Sequence, residues 1–354
     1  MTFIMKWIKR ATAAVAAVMM AVSLSACESN LSWAAKIGED TTLPVGLYIY
    51  SQAAAYRNGG QSGVIDVYSE LKDQTVTVSG SDMAATAYLD REAQKTVKSA
   101  VGTMLKAEEM GISLDEDKLN SAMQSAAEEY EANEEMLTKN GVAQTSVEEY
   151  YKDLARKNDV FQAIYGEDGT NPVSDDTLKK FMEENYATFH FMQQYLYTED
   201  GSPMTAQEIA NVKKKYEKIR SNAEKGKLDF KKKCDEESKN NTGYVGAYTD
   251  ITQRFDPTDE QGKAVLSLKT GEFYLMETDS TIALIQKAKL DKNGKNFEQS
   301  RDTLLLESTY DAFIDEMVKY AEKSDKVTFN DKAFEKFASS TRDFSGLNMA
   351  SGSY

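Results

Sequence analysis

The chain has 354 residues, 57 of them acidic against 42 Lys and Arg, for a net charge of −15 with its single His neutral. So acidic a balance argues against nucleic acid as a partner, because phosphate recognition depends on clustered Lys and Arg, and against electrostatic docking on an anionic membrane. One His and two Cys leave little room for Ser-His-Asp, Cys-His or Cys-cluster metal chemistry, so no cofactor and no metal is expected.

Residues 1–26 run from Lys6, Lys9 and Arg10 through an apolar stretch, Ala11 to Leu24, into Leu24-Ser25-Ala26-Cys27. Charged, apolar and small-residue segments in that order make a secretory signal. The alternative is an uncut first membrane helix, but the apolar run falls short of the ~20 residues that a span needs. Leu-Ser-Ala-Cys resembles the bacterial lipoprotein box, in which the Cys is diacylated and becomes the mature N-terminus. The resemblance implies export and a lipid tether at Cys27, on the extracytoplasmic face of the cell membrane. Cys234 is then the remaining thiol, too few for an internal disulfide, and reads as a buried core residue.

After a polar linker over 27–40, Leu47 to Tyr56 reads as a first helix, ended by Arg57-Asn-Gly-Gly60. Residues 61–80 are turn-rich around one alternating run, Thr75-Val-Thr-Val78. Ser81-Asp82 is expected to cap a helix in which Leu89, Ala93, Val97, Val101 and Leu105 form one apolar stripe, stopped at Met110-Gly111. Ser113-Leu-Asp-Glu116 has the capping-box pattern and opens a polar helix that Asn140-Gly141 closes. Ser146 and Ser174 open two more.

The texture changes at Ala187. Phe189-His190-Phe191 leads an aromatic strand that runs to Tyr197, with His190 expected at a strand edge among rings. Thr205 to Lys225 is a Lys/Glu-rich helix stopped by Gly226, and Ser280 to Gln286 is an apolar strand. Asp291-Lys-Asn-Gly294 is a turn and no calcium loop, since Asn296 stands where an EF-hand needs glycine. From Phe297 a long helix carries Leu306, Tyr310, Phe313, Ile314, Met317 and Ala321, a stripe that must pack back on the N-terminal helices. The Ser- and Gly-bearing tail, 339–354, reads as disordered.

Residues 187–290 resemble a parvulin-type prolyl isomerase domain. The resemblance rests on Lys225-Gly-Lys-Leu-Asp-Phe230, Gly243-Tyr-Val-Gly246-Ala-Tyr248, Ala264-Val-Leu-Ser-Leu-Lys-Thr-Gly-Glu272 and Met276 to Ile285, in the family's order. The flanking helices are similar to those of PrsA/SurA-type foldases, which build a chaperone domain from both chain ends and carry parvulin as an insert. The fold implied is α+β: a signal over 1–26, a linker over 27–40, a helical SurA-N-like domain over 41–186, a parvulin-like insert over 187–290 and a completing helix over 291–338. Against the family pattern, Gln194 and Ala283 stand where the two histidines belong, and Gln261 replaces the aromatic of the proline pocket. The insert therefore reads as degenerate, with no catalytic residue.

The resemblance implies a foldase or holdase whose partners are unfolded or newly exported polypeptides, gripped in an aromatic cradle lined by Tyr48, Tyr50, Tyr56, Tyr310 and Phe313. Those five side chains equally fit an ordinary helical core. An active isomerase and a solute-binding lipoprotein are the alternatives, although the latter needs two lobes of repeated strand–helix units. Paired acids such as Glu134-Glu135 belong to solvated helix faces.

Overall fold

The computed structural model describes residues 31–78, 80–198, 201–240, 242 and 245–350. Cys27 and the signal segment lie outside the described residues, as do Gly243 and Tyr244 of the parvulin-like motif. Among the described residues no helix is long and apolar enough to cross a membrane.

Two compact units divide the chain, one built from residues up to Val160 together with Ile314 onward, the other from Phe161–Phe313. The first unit is closed by its ends. Strand β1 (Trp33–Ile37) pairs antiparallel with β2 (Thr41–Pro44) on one side and with β9 (Val327–Phe329) on the other. The stretch expected as a linker thus contains a strand, whose register is fixed by a partner almost three hundred residues away. Buried Ala34 and Ala35 let that sheet lie close on the core.

Helix α1 (Val45–Gln61) is apolar nearly all round and runs through the middle of the unit, so its Gly59-Gly60 pair falls inside the helix and does not end it. A hairpin follows, β3 (Thr75–Val78) with β4 (Ser81–Ala84). Ser81-Asp82 therefore belongs to a strand, and α2 (Ala85–Met110) begins at Ala84 with no side-chain cap. Its stripe is buried at Leu89, Ala93, Val97 and Val101, and Gly111 ends it in the left-handed conformation, φ 69°.

Helix α3 (Glu116–Ala132) is capped by Asp115, whose side chain accepts from the Lys118 N–H at 2.8 Å, not by Ser113. Helices α4 (Glu134–Lys139) and α5 (Gln144–Tyr165) complete this half, α5 beginning ahead of Ser146.

In the second unit α6 (Asp175–Asn185) is capped by Ser174 and leads into the first strand of a four-stranded antiparallel sheet, order β6-β5-β8-β7. These are β5 (Tyr186–Tyr195), β6 (Val245–Arg254), β7 (Phe273–Glu277) and β8 (Thr281–Lys287). Helices α7 (Ala206–Glu224) and α8 (Phe230–Glu237) cover one face, burying Tyr216, Phe230 and Cys234 against Met192, Ile282 and Leu284. A full capping box, Thr205 with Glu208, starts α7. Helix α9 (Glu260–Ser267) lies on the other face, where Val265 meets Phe189 and Ile285.

The unit extends beyond 187–290 because aromatic side chains of the flanking helices pack on one another. Phe161 stands 5.5 Å from Tyr165, 5.5 Å from Tyr310 and 5.4 Å from Phe313. Only the last part of α10 (Lys295–Lys323), from Ile314, belongs to the first unit. There it meets α2 so closely that a methyl on Gly102 would fall 2.6 Å from the Met317 carbonyl carbon. Lys95–Asp315 and Lys98–Glu322, both 2.7 Å, flank that seam.

After α10 come β9 and α11 (Asp331–Lys336). The tail expected as disordered is packed through Ala350: Ser339–Thr341 forms a single 3-10 turn, and Phe344 and Leu347 join the core of the first unit. These apolar anchors, with hydrogen bonds from side chains of the first unit, hold a segment whose composition is otherwise that of a linker.

Candidate functional site

Strand register decides what the small sheet offers on the face that α9 covers only in part. Met276 of β7 lies opposite Ala283 of β8, Ala283 opposite Gln193 of β5, and Gln193 opposite Gly246 of β6. The neighbouring row reads Tyr274, Ile285, Phe191 and Tyr248. Ala283 thus sits between a methionine and a glutamine, with Gly246 beyond the glutamine, all beside an aromatic row. A shallow apolar trough results.

Its walls are rings. Phe191 and Tyr248 are stacked, with centroids 4.9 Å apart and planes at 22°, and Phe189 bridges Phe191 and Phe255 at 5.5 and 5.6 Å. The Tyr248 ring leans over Gly246, where an added Cβ would meet it at 2.8 Å. Tyr248 is 37% exposed and Tyr195 38% exposed, unusually open for aromatic side chains on a sheet this small. Gln261 of α9 donates from Nε2 to the Glu277 carbonyl at 2.9 Å, which ties the helix to the end of β7. At the far end of the trough the half-buried Lys287 donates to the carbonyls of Val265 and Leu266 (3.1 and 3.3 Å), the last turn of α9.

Gln194 does not belong to this trough. It lies opposite Ile282, on the face packed against α7 and α8, whereas the cross-strand neighbour of Ala283 is Gln193. Gln194 and Ala283 therefore face opposite sides of the sheet, since one residue along a strand changes the face. Ala283 and Gln261 do flank the same surface.

His190 shares the Gln194 face and is cut off from the trough. Nor is it at an edge, since β5 has neighbours on both sides. Opposite it β6 bulges: Phe189 pairs with Ile251 but Phe191 with Tyr248, leaving Thr249 and Asp250 against one residue. Asp250 takes φ 54° there, and its N–H donates to His190 Nδ1 at 3.2 Å. The ring is thus a structural acceptor, kept neutral by burial, which pushes its pKa down. Cys234, on the same covered face, has its thiol pushed up to about 12 by burial, so it is no nucleophile.

The five aromatic residues expected to line a cradle are divided between the units and are mostly core. Tyr48, Tyr50 and Tyr56 are buried in the first unit and Phe313 in the second, with Tyr310 half-buried beside it. A stripe at helical spacing is first a packing face. Tyr48 donates to Asp90 at 3.2 Å, Tyr50 meets Tyr150 edge-on at 4.9 Å, and Tyr56 faces Phe344 at 5.9 Å. Below Tyr50, Arg57 and Glu129 form a 2.5 Å pair, 4% and 3% exposed.

Among the described residues no three His, Cys, Asp or Glu come together as a metal would require. The trough itself presents methionine, amide and aromatic groups. It can enclose an apolar side chain and hydrogen-bond a main chain through Gln193.

No family model matches this chain, and no curated protein does. Its structural neighbours are crystal structures of PrsA foldases. The foldase protein PrsA from Streptococcus pneumoniae str. Canada MDR_19A is 14% identical, with 74% of this chain and 97% of that one covered at a TM-score of 0.36. PrsA from Lactococcus lactis is 14% identical, covering 88% and 99% at 0.34, and PrsA from Bacillus subtilis 15%, covering 72% and 94% at 0.26. The exposed aromatic trough was not foreseen; the alternation Phe189, Phe191, Gln193, Tyr195 on β5 carried the signal.

Proposed function

We propose that the protein is a lipid-anchored, extracytoplasmic foldase or holdase that binds unfolded exported polypeptides, with Cys27 as the acylated residue. The helical unit made by the two chain ends is its chaperone body, and the four-stranded insert grips client side chains without catalysing proline isomerisation. One observation carries the reading: a partly exposed aromatic trough, floored by Ala283 and walled by Phe191, Tyr248 and Tyr195. Enclosing one client ring there contributes about 1.5–3 kcal/mol, which alone means weak, reversible capture. That suits a protein that must release what it holds, and the acidic exterior keeps the complex soluble.

The test is an aggregation-suppression assay with an unfolded client, run beside a proline-isomerisation assay on the same soluble chain. Suppression without isomerisation is expected, and Tyr248→Ser with Tyr195→Ser should reduce it several-fold. Both side chains are open enough that the double variant loses little stability. Isomerisation at ordinary enzyme rates would make the insert an active isomerase. Failure of both assays, with tight binding of a small solute, would point to a solute-binding lipoprotein.

A further inference from the structure

The segment from Phe337 to Met349 is held the way a bound peptide is held. Its main chain is bonded by side chains of the helical unit. Gln52 Nε2 donates to the Phe337 carbonyl at 3.0 Å, and Asp90 Oδ1 accepts from the Ser339 N–H at 2.8 Å. Asn140 grips one residue from both sides, donating to the Asp343 carbonyl at 2.8 Å and accepting from its N–H at 3.4 Å. Asn133 Oδ1 accepts from the Asn348 N–H at 2.7 Å, and Gln61 Nε2 donates to the Met349 carbonyl at 2.9 Å.

Contacts of this kind do not depend on the sequence of the segment. Three of its side chains are deeply inserted: Ser339, whose Oγ donates to the Thr86 carbonyl at 2.8 Å, Phe344 against the Tyr56 ring, and Leu347 three residues on. Beyond the turn at Ser339–Thr341 it has no helix or strand of its own, and Leu347 N–H to Phe344 O, 3.0 Å, is a local turn. It can therefore leave without breaking any helix or sheet.

Leaving has a consequence. Asn133 and Asn140 are buried; their Nδ2 groups also bond Glu129 and Met136 within the unit, but their Oδ1 atoms would lose the N–H groups of Asn348 and Asp343 if the segment left, a cost for buried acceptors. Another main chain folded into the same turns would satisfy them. We propose that this groove is a polypeptide-binding site, that residues 339–349 occupy it as a built-in competitor, and that a client segment with an aromatic and an aliphatic residue three apart, brought to one side by a local turn, displaces them. The inference rests on the reading above that the partners are unfolded polypeptides.

The experiment uses the full soluble chain and two probes: reduced, carboxymethylated lactalbumin as the unfolded client, and a labelled peptide copying residues 339–350. The client should strip hydrogen-exchange protection from the amides of Asp343 and Asn348, and Phe344→Ala should bind the labelled peptide at least ten-fold more tightly than the parent chain. Client binding with strap amides still protected overturns the inference and leaves the proposed function standing. So does a folded Phe344→Ala chain with unchanged peptide affinity. If that variant does not fold, the exchange measurement on the parent chain decides alone. Absence of any client binding overturns both readings.

Discussion

The seam between α2 and α10 makes Gly102→Ala the sharpest test of the first unit. A Cβ at residue 102 would lie 2.6 Å from the Met317 carbonyl carbon and 3.0 Å from its Cα, closer still to the carbonyl oxygen. These are main-chain atoms, so no rotamer change relieves the clash, and the helices must part by about 1 Å to reach ordinary contact. Replacing glycine by alanine inside a helix favours the folded state by ~1 kcal/mol. Overpacking costs ~1–3 kcal/mol, and an immovable obstacle puts this case at the upper end. The net expectation is a loss of about 2 kcal/mol, or a fall of about 1 M in the urea midpoint. Trp33, in β1, is the one tryptophan after residue 26, so its fluorescence reports this unit. An unchanged or raised midpoint would refute the close approach.

Three further outcomes follow from buried groups. Burial holds the His190 pKa below its ordinary ~6.5, so the unfolded chain takes up the proton first. Stability of the second unit is then full above about pH 6.5 and falls as pH drops through that value toward the folded pKa; thermal melts across this range should show the slope in the parent chain and lose it in His190→Gln. Removing one member of the Arg57–Glu129 pair leaves an uncompensated buried charge and should cost ~3–5 kcal/mol, whereas Arg57→Met with Glu129→Leu should recover most of that loss in a double-mutant cycle. With its pKa pushed up to about 12 and its sulfur buried, Cys234 should react with a thiol reagent only at the rate at which the second unit opens; rapid labelling of the native chain would contradict its place on the inner face of α8, in the core with Tyr216 and the sheet.

Long apolar stripes and glycine stops were readable directly. Leu89, Ala93, Val97 and Val101 are all buried as their spacing requires, and Gly111 and Gly226 end helices in the left-handed region. What escaped reading were strands too short to show a period. β1, β2 and β4 have four or five residues each, and Ser81-Asp82 imitates a helix cap while pairing with Val78 and Thr77. The C-terminal segment was missed because Ser and Gly dominate it, and side chains elsewhere supply its order. The candidate trough was half visible: Ala283 and Gln261, both singled out in the sequence, border it, whereas Gln194 faces the other side of the sheet, because which face a strand residue takes depends on a register that the sequence does not show.

Pairing of β1 with β9 orders events during synthesis. At roughly 5–20 residues per second, Ile37 waits about 15–60 s for Val327 to emerge. The contiguous stretch 161–313 is complete only once Phe313 has emerged, about 1–3 s before Val327. Both units therefore close almost together at the end of synthesis, and until then β1 has β2 as its only partner strand among the described residues.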